Sequence, residues 1–176
     1  MSNETVINSS VAEIADATIS RLIAAGLIDP NKKGKQTRIN WERILAHEYT
    51  EKFYSEIPHW YRIEVGAIPG DGSDPIYAKT RRWADCVLRM PDHMLILEFK
   101  MKAEPSVVSQ LEHYQFLLPE TPLFKKYREL PVKIKVVAAM IDGNARDFIA
   151  SRGIEVEMYK PTNFDQWYKQ TILKEK

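Results

Sequence analysis

Two short runs, Arg82–Met90 and Met94–Lys100, stand on either side of Pro91-Asp92-His93. The intervening triplet has the composition of a tight turn, which predicts that the runs pair as a β-hairpin. Side chains alternate between the two faces of a strand. Asp85, Val87 and Arg89 therefore share one face of the first run, and Met94, Ile96, Glu98 and Lys100 share one face of the second. In a regular hairpin, directly paired residues lie on the same side of the sheet. A two-residue loop at Pro91-Asp92 sets Asp85 opposite Glu98, whereas a loop at Asp92-His93 sets it opposite Lys100. A four-residue loop keeps this parity, and a three-residue loop without a bulge reverses it. With parity kept, two carboxylates and one ammonium meet beside Val87, Ile96 and Met94. A solvated cross-strand ion pair is the plainer reading. Against it, the apolar neighbours imply a half-buried face, where carboxylates are strongly disfavoured unless a cation or donors compensate. Mg²⁺ prefers carboxylate, carbonyl and water oxygens and meets that need.

The rest of the chain supplies an α/β frame around this hairpin. Val11, Ile14, Ala15, Ile19, Leu22 and Ile23 recur at helical spacing over residues 9–26, and Gly26 ends the segment. A polar linker follows, so residues 1–36 are expected to form a helical arm and linker, and residues 37–176 the main domain. A second helix is expected over Asn40–Ser55, with Asn40 as its cap and Trp41, Ile44, Leu45, Tyr49 and Phe53 along one apolar stripe. Glu48 falls within that stripe, an unusual place for an acid. A strand over Trp60–Ile68 runs into a Pro-Gly-Asp-Gly-Ser-Asp-Pro loop at residues 69–75. After the hairpin come a helix from Glu104-Pro105-Ser106 to Leu118, a short helix over residues 122–130 and a strand over Val132–Ile141. A helix over Asn144–Arg152, a strand over Ile154–Tyr159 and a helix over Asn163–Leu173 complete the order.

Composition limits the alternatives. The chain has 176 residues, enough for one domain with a sizeable core. Its single cysteine, Cys86, excludes an intrachain disulfide and a cysteine-based zinc cluster. No apolar run approaches the ~20 residues of a spanning helix, and the first residues lack a secretory pattern. A cytoplasmic location, the host cytoplasm if the protein is viral, is therefore expected. The net charge of +1 says nothing about nucleic acid, but the cations are grouped. Lys32, Lys33, Lys35 and Arg38 form one group, Lys79, Arg81 and Arg82 a second, and Lys125, Lys126 and Arg128 a third. His47, His59, His93 and His113 do not form a metal-spaced set.

Ala84-Asp85, twelve residues, then Glu98-Phe99-Lys100 resembles the Asp…Glu-x-Lys signature of the PD-(D/E)xK nuclease superfamily, with Ala84 where a proline is usual. The surrounding elements resemble the restriction-endonuclease-like αβββαβ core, a mixed sheet flanked by helices, over about Asn40–Ile141. Gln110-x-x-x-Tyr114 resembles the Gln-x-x-x-Tyr motif of the RecB-like and lambda-exonuclease-like branch, and length allows comparison with junction resolvases. Without the family, Tyr114 reads as core and Gln110 as a surface amide; their i,i+4 spacing puts them on one helical face. The resemblance implies a magnesium-dependent nuclease acting on DNA, with Mn²⁺ able to substitute and a metal-activated water as nucleophile. It further implies that Asp85, Glu98 and the carbonyl of Phe99 hold the metal, while Lys100 positions the water and offsets charge at the phosphate. An acid from the first core helix often completes such sites; Glu48 is the candidate, with Glu42 and Glu64 in reserve and a structural ion pair as Glu48's alternative. Gln110, Tyr114, Arg81 and Arg82 are candidates for substrate contact. A homodimer is compatible with the N-terminal helix. The competing expectation is a catalytically silent nuclease-fold subunit that binds nucleic acid or a protein partner.

Overall fold

The protein is described here by a computed structural model covering residues 40–67 and 82–174. Apart from Asn40–Arg43, these belong to one compact unit, Ile44–Lys176. The expected helix at residues 9–26, the basic group Lys32–Arg38, and Lys79 and Arg81 lie outside the described residues.

Helix α1 (Trp41–Tyr54) begins as its first residues dictate: the Asn40 Oδ1 accepts the Arg43 N–H at 3.0 Å. Strands β1 (His59–Glu64), β2 (Trp83–Arg89) and β3 (Met94–Ala103) follow, then helix α2 (Val107–Leu117). Next come β4 (Val132–Ile141), α3 (Gly143–Ser151), β5 (Glu155–Met158) and the short α4 (Phe164–Tyr168). The sheet order is β1-β2-β3-β4-β5. β1, β2 and β3 pair antiparallel, whereas β4 pairs parallel to β3 and β5 parallel to β4. Parallel pairing needs a crossover, and α2 and α3 provide the two. The succession α1-β1-β2-β3-α2-β4 is the αβββαβ core expected of a restriction-endonuclease-like fold.

β3 is central and buried on both faces, which explains its almost unbroken apolar run. α1 covers the face of Leu97 and Phe99: the Tyr49 ring meets Phe99 at 5.8 Å, and the Tyr49 hydroxyl donates to Glu157 on β5. On that same face Lys135 is buried, and its ammonium is compensated by Glu155 at 2.8 Å and Glu157 at 3.2 Å. α2 covers the opposite face, where Leu111, Tyr114, Val107 and Val108 pack with Val87, Ile96, Val136 and Ala138.

Three expected elements differ in detail. β1 stops at Glu64 rather than Ile68, because Gly66, at φ 108°, turns the chain and donates its N–H to Thr121 Oγ1 at 2.9 Å. The 122–130 segment is a 3₁₀ turn over Pro122–Tyr127, as its i→i+3 bond from the Arg128 N–H to the Lys125 carbonyl shows. The last helix is α-helical only over Phe164–Tyr168 and continues as a wider π turn over Lys169–Leu173. Where caps are local, agreement is closer: Asp142 Oδ1 accepts the Ala145 N–H at 3.0 Å at the start of α3, and Gly153, at φ 73°, follows its end. No helix among the described residues is long and apolar enough to cross a membrane.

Cys86 is fully buried in β2, and burial pushes its thiol up to about 12. The thiolate is the reactive species, so a thiol-exchange reagent at neutral pH is expected to leave native protein unmodified and to titrate one thiol after denaturation. Fast reaction of the native protein would contradict this packing.

Candidate functional site

The hairpin closes through the Met90 N–H, which donates to the His93 carbonyl at 3.0 Å around Pro91-Asp92. Its register pairs Cys86 with Leu97, Val87 with Ile96 and Arg89 with Met94. The next step of the same register sets Asp85 opposite Glu98, on the face covered by α2. Asp85 is half-buried and its Oδ2 accepts the Phe99 N–H at 3.0 Å. Glu98 is 1% exposed, and its Oε1 accepts from Lys100 Nζ and from Gln110 Nε2, both at 2.7 Å. Gln110 Nε2 also donates to the Tyr114 hydroxyl at 2.8 Å. Five residues from β2, β3 and α2 therefore form one connected polar cluster. The i,i+4 spacing on α2 is what lets Gln110 and Tyr114 face it together.

Burial pushes the Asp85 carboxyl above the ordinary carboxylate range; the Phe99 N–H and the Lys100 ammonium pull it part of the way back, with Glu98 and the Arg62 guanidinium contributing less. Burial likewise raises the Tyr114 hydroxyl, and the neighbouring Glu98 and Asp85 add to this, so it serves as a phenol and not a phenolate. A carboxylate pair held in this way is disfavoured when ionised unless positive charge is present. Its donors are all oxygen, which suits a hard divalent cation. Among the described residues no group of three or more His, Cys, Asp or Glu converges. Mg²⁺ does not require one, since it commonly keeps several waters and takes one or two carboxylates plus substrate phosphate. The residues present thus fit Mg²⁺ at Asp85 and Glu98.

The structure does not bring Glu48 to this cluster. Its Oε2 accepts the Thr162 N–H at 2.8 Å and the Thr162 hydroxyl at 3.2 Å. It stands on α1, the helix that covers the opposite face of the sheet, and ties that helix to the segment before α4. Its place in the apolar stripe reflects this contact, made with a residue far away in sequence. Glu42 lies in the first turn of α1. Glu64 pairs with Trp83, so register places it on the Asp85 face, two residues beyond Arg62. Arg82 is exposed just ahead of β2, with its carbonyl accepting the Val65 N–H at 2.9 Å, while Arg81 lies outside the described residues. In the third basic group, Lys126 lies 4.8 Å from the Tyr127 ring centroid and Arg128 pairs with Glu129. Three histidines serve local contacts: His47 packs on Tyr61, His59 bonds to the Ile57 carbonyl and His93 pairs with Asp92; His113 is exposed on α2.

Nothing in the sequence marks Arg62. It sits in β1 at φ 50°, a left-handed conformation that costs a non-glycine residue on the order of 1 kcal/mol. Pairing is regular on both sides of it, Tyr61 with Cys86 and Ile63 with Ala84, so Arg62 stands across from Asp85.

No protein-family model matches the chain, and no curated protein does. Two solved structures are similar to part of it. One is a crystal structure of a repair endonuclease from Pyrococcus abyssi, 20% identical over 65% of this chain and 45% of that one, with a TM-score of 0.41. The other is EndoMS in complex with double-stranded DNA, 19% identical over 65% of this chain and 43% of that one, with a TM-score of 0.38. The chain spans less than half the length of either.

Asp85→Asn removes the buried charge and keeps an oxygen for the Phe99 N–H. Because burial raises the folded-state value of Asp85, its stabilising contribution is full at acid pH and is lost as pH rises through that value. At neutral pH the variant is therefore expected to melt above wild type by about 2–4 °C, the shift given by roughly 1 kcal/mol in a chain of this size. The gap should close at pH values where Asp85 is protonated in both states. A variant that melts lower than wild type at neutral pH would mean that Asp85 is compensated by the protein alone.

Proposed function

We propose that this chain is a Mg²⁺-dependent nuclease of the PD-(D/E)xK type that hydrolyses phosphodiester bonds in DNA. The observation that carries this reading is the joining of Asp85, Glu98, Lys100 and Gln110 in one cluster on a half-buried sheet face. Asp85 and Glu98, with the Phe99 carbonyl, would hold the ion. When bound, Mg²⁺ supplies positive charge at the phosphate and acidifies the attacking water. The protein's own groups do the remaining work. Gln110 holds Glu98 in place and is itself held by Tyr114. Lys100 brings an ammonium to the cluster, able to orient a water or to meet charge that develops on a phosphate oxygen. Arg82, exposed just ahead of β2, is a candidate for a phosphate contact.

One observation favours a second reading. Glu98 Oε1 already accepts both Lys100 and Gln110, which supplies that oxygen with donors without a metal ion, as in a silent subunit that binds nucleic acid or a protein partner.

Incubation with plasmid, linear duplex and single-stranded DNA in Mg²⁺, Mn²⁺ or EDTA separates the two. Metal-dependent cutting is expected, with Glu98→Ala reducing the rate on the order of 100-fold. Cutting that survives in Glu98→Ala and Lys100→Ala proteins would remove the site from this reading. Gln110→Ala tests the support of Glu98: roughly 10- to 100-fold weaker metal binding by calorimetry is expected, as for other groups that orient a ligand. No metal binding by wild type, together with no cutting, would establish the silent reading.

A further inference from the structure

Arg62 and Trp83 flank the carboxylates: the Arg62 guanidinium pulls weakly on Asp85, and neither side chain is hydrogen-bonded into the cluster around Glu98 among the described residues. Among the described residues Arg62 and Lys174, near the C-terminal end, are the non-glycine residues at positive φ. In Arg62 the departure is confined to one position of an otherwise regular strand, and strained positions of this kind gather at binding and catalytic sites. Its guanidinium lies 6.0 Å from the centroid of the Trp83 ring. No carboxylate among the described residues forms a salt bridge with it.

Trp83 is 41% exposed, although Ala84, Cys86, Val87 and Leu88 of the same strand are buried. Strand alternation puts Trp83 on the Asp85 face, about 7 Å along β2 from it. β1 borders the described sheet, so this corner is its outer edge. An exposed indole beside a guanidinium that no described carboxylate bridges, two residues along β2 from Asp85, combines a base-stacking surface with a phosphate ligand. A base inside a duplex is covered on both faces by its neighbours, so only an unpaired base can stack on such a ring.

We propose that Arg62 and Trp83 form a platform for one nucleotide at the edge of the candidate site, the guanidinium taking a phosphate and the indole stacking an unpaired base. The proposal rests on the nuclease reading and narrows its substrate to single-stranded or locally unpaired nucleic acid. It also gives the left-handed backbone at Arg62 a purpose, since that turn carries the side chain to a position that an extended strand residue would not reach.

The test uses a labelled single-stranded DNA and its duplex, titrated by fluorescence anisotropy in EDTA and then cut in Mg²⁺. Wild type is expected to bind the single strand more tightly. Arg62→Gly and Trp83→Ala should each weaken single-strand binding about tenfold, the scale of one lost stacking contact, with duplex binding unchanged and Trp83→Phe close to wild type. Glycine adopts φ 50° without strain, so Arg62→Gly should melt at or above wild type, which separates loss of contact from loss of fold. In cleavage, the loss should fall on KM and not on kcat. Unchanged single-strand binding and KM in both variants, or equal loss for single strand and duplex, would overturn the platform. Wild type that cuts DNA while the variants keep its KM would sink the platform alone. Wild type that binds single strands through these residues and cuts nothing would sink the nuclease reading alone. No binding of either DNA by wild type would overturn both.

Discussion

The hydrogen bond between the Met90 N–H and the His93 carbonyl fixes where the β2–β3 hairpin turns, and the chemistry at its far end depends on it. Side-chain direction has a period of two, so a slip of one residue would carry Asp85 to the face covered by α1. There it would meet the aromatic contacts of Tyr49 with Phe99 and the ion pairs of Lys135, not Glu98. The apolar residues between turn and site make the slip costly. Cys86, Val87 and Leu88 are each fully buried, on alternating faces, and a slip would exchange both sets at once. The same packing that holds the core therefore holds the carboxylates in register.

Polar groups on that face are arranged to tolerate burial without removing its electrostatic tension. Glu98 receives two charge-assisted or strongly polar donors, Lys100 and Gln110, and such bonds are about twice as strong as neutral ones. Asp85 receives a backbone N–H and remains pushed toward its neutral form. The Oε1 of Glu98 is thus well supplied with donors, while the Asp85 carboxyl stays raised. On the other face, Lys135 lies between Glu155 and Glu157 and its ammonium stays above its ordinary value: burial opposes this, and the two carboxylates overcome it. One sheet thus holds a buried ammonium paired with two carboxylates on one face and a carboxyl that stays raised on the other.

How much of this was legible from the residues depended on the range of the interaction. Alternation and the Pro91-Asp92-His93 turn foretold the strand pair, because both are local, but left open whether Asp85 faces Glu98 or Lys100, which the closure at Met90 and His93 decides. Spacing on α2 foretold that Gln110 and Tyr114 share a face, though not that Gln110 bridges Glu98 and Tyr114. Glu48 was misleading because an acid in an apolar stripe signals only that it has a partner. The partner, Thr162, is 114 residues away and on the other side of the sheet from the site. Arg62 left no trace at all: a left-handed residue is readable when it is glycine or asparagine, and an arginine inside a strand reads as an ordinary exposed cation.

The mixed topology explains why these groups meet at one end of β3. As the strand shared by the antiparallel and parallel halves of the sheet, β3 must be apolar on both faces along most of its length, and polar residues fit only where cover ends. Glu98, Lys100 and Lys102 lie toward its C-terminal end, on the face shared with Asp85. Only Glu104–Ser106 separate β3 from α2, so the first turns of that helix stand above the strand end and Gln110 reaches back to Glu98. Sheets with parallel strands place ligand sites at the carboxyl ends of those strands for this reason: the helix leaves there, and the main chain has turned away from the sheet. Here the antiparallel β2 adds Asp85 and Trp83 from the other side of β3. Among the described residues the site therefore lies between the crossover helix α2 and β1, the border strand of the described sheet, which carries Arg62.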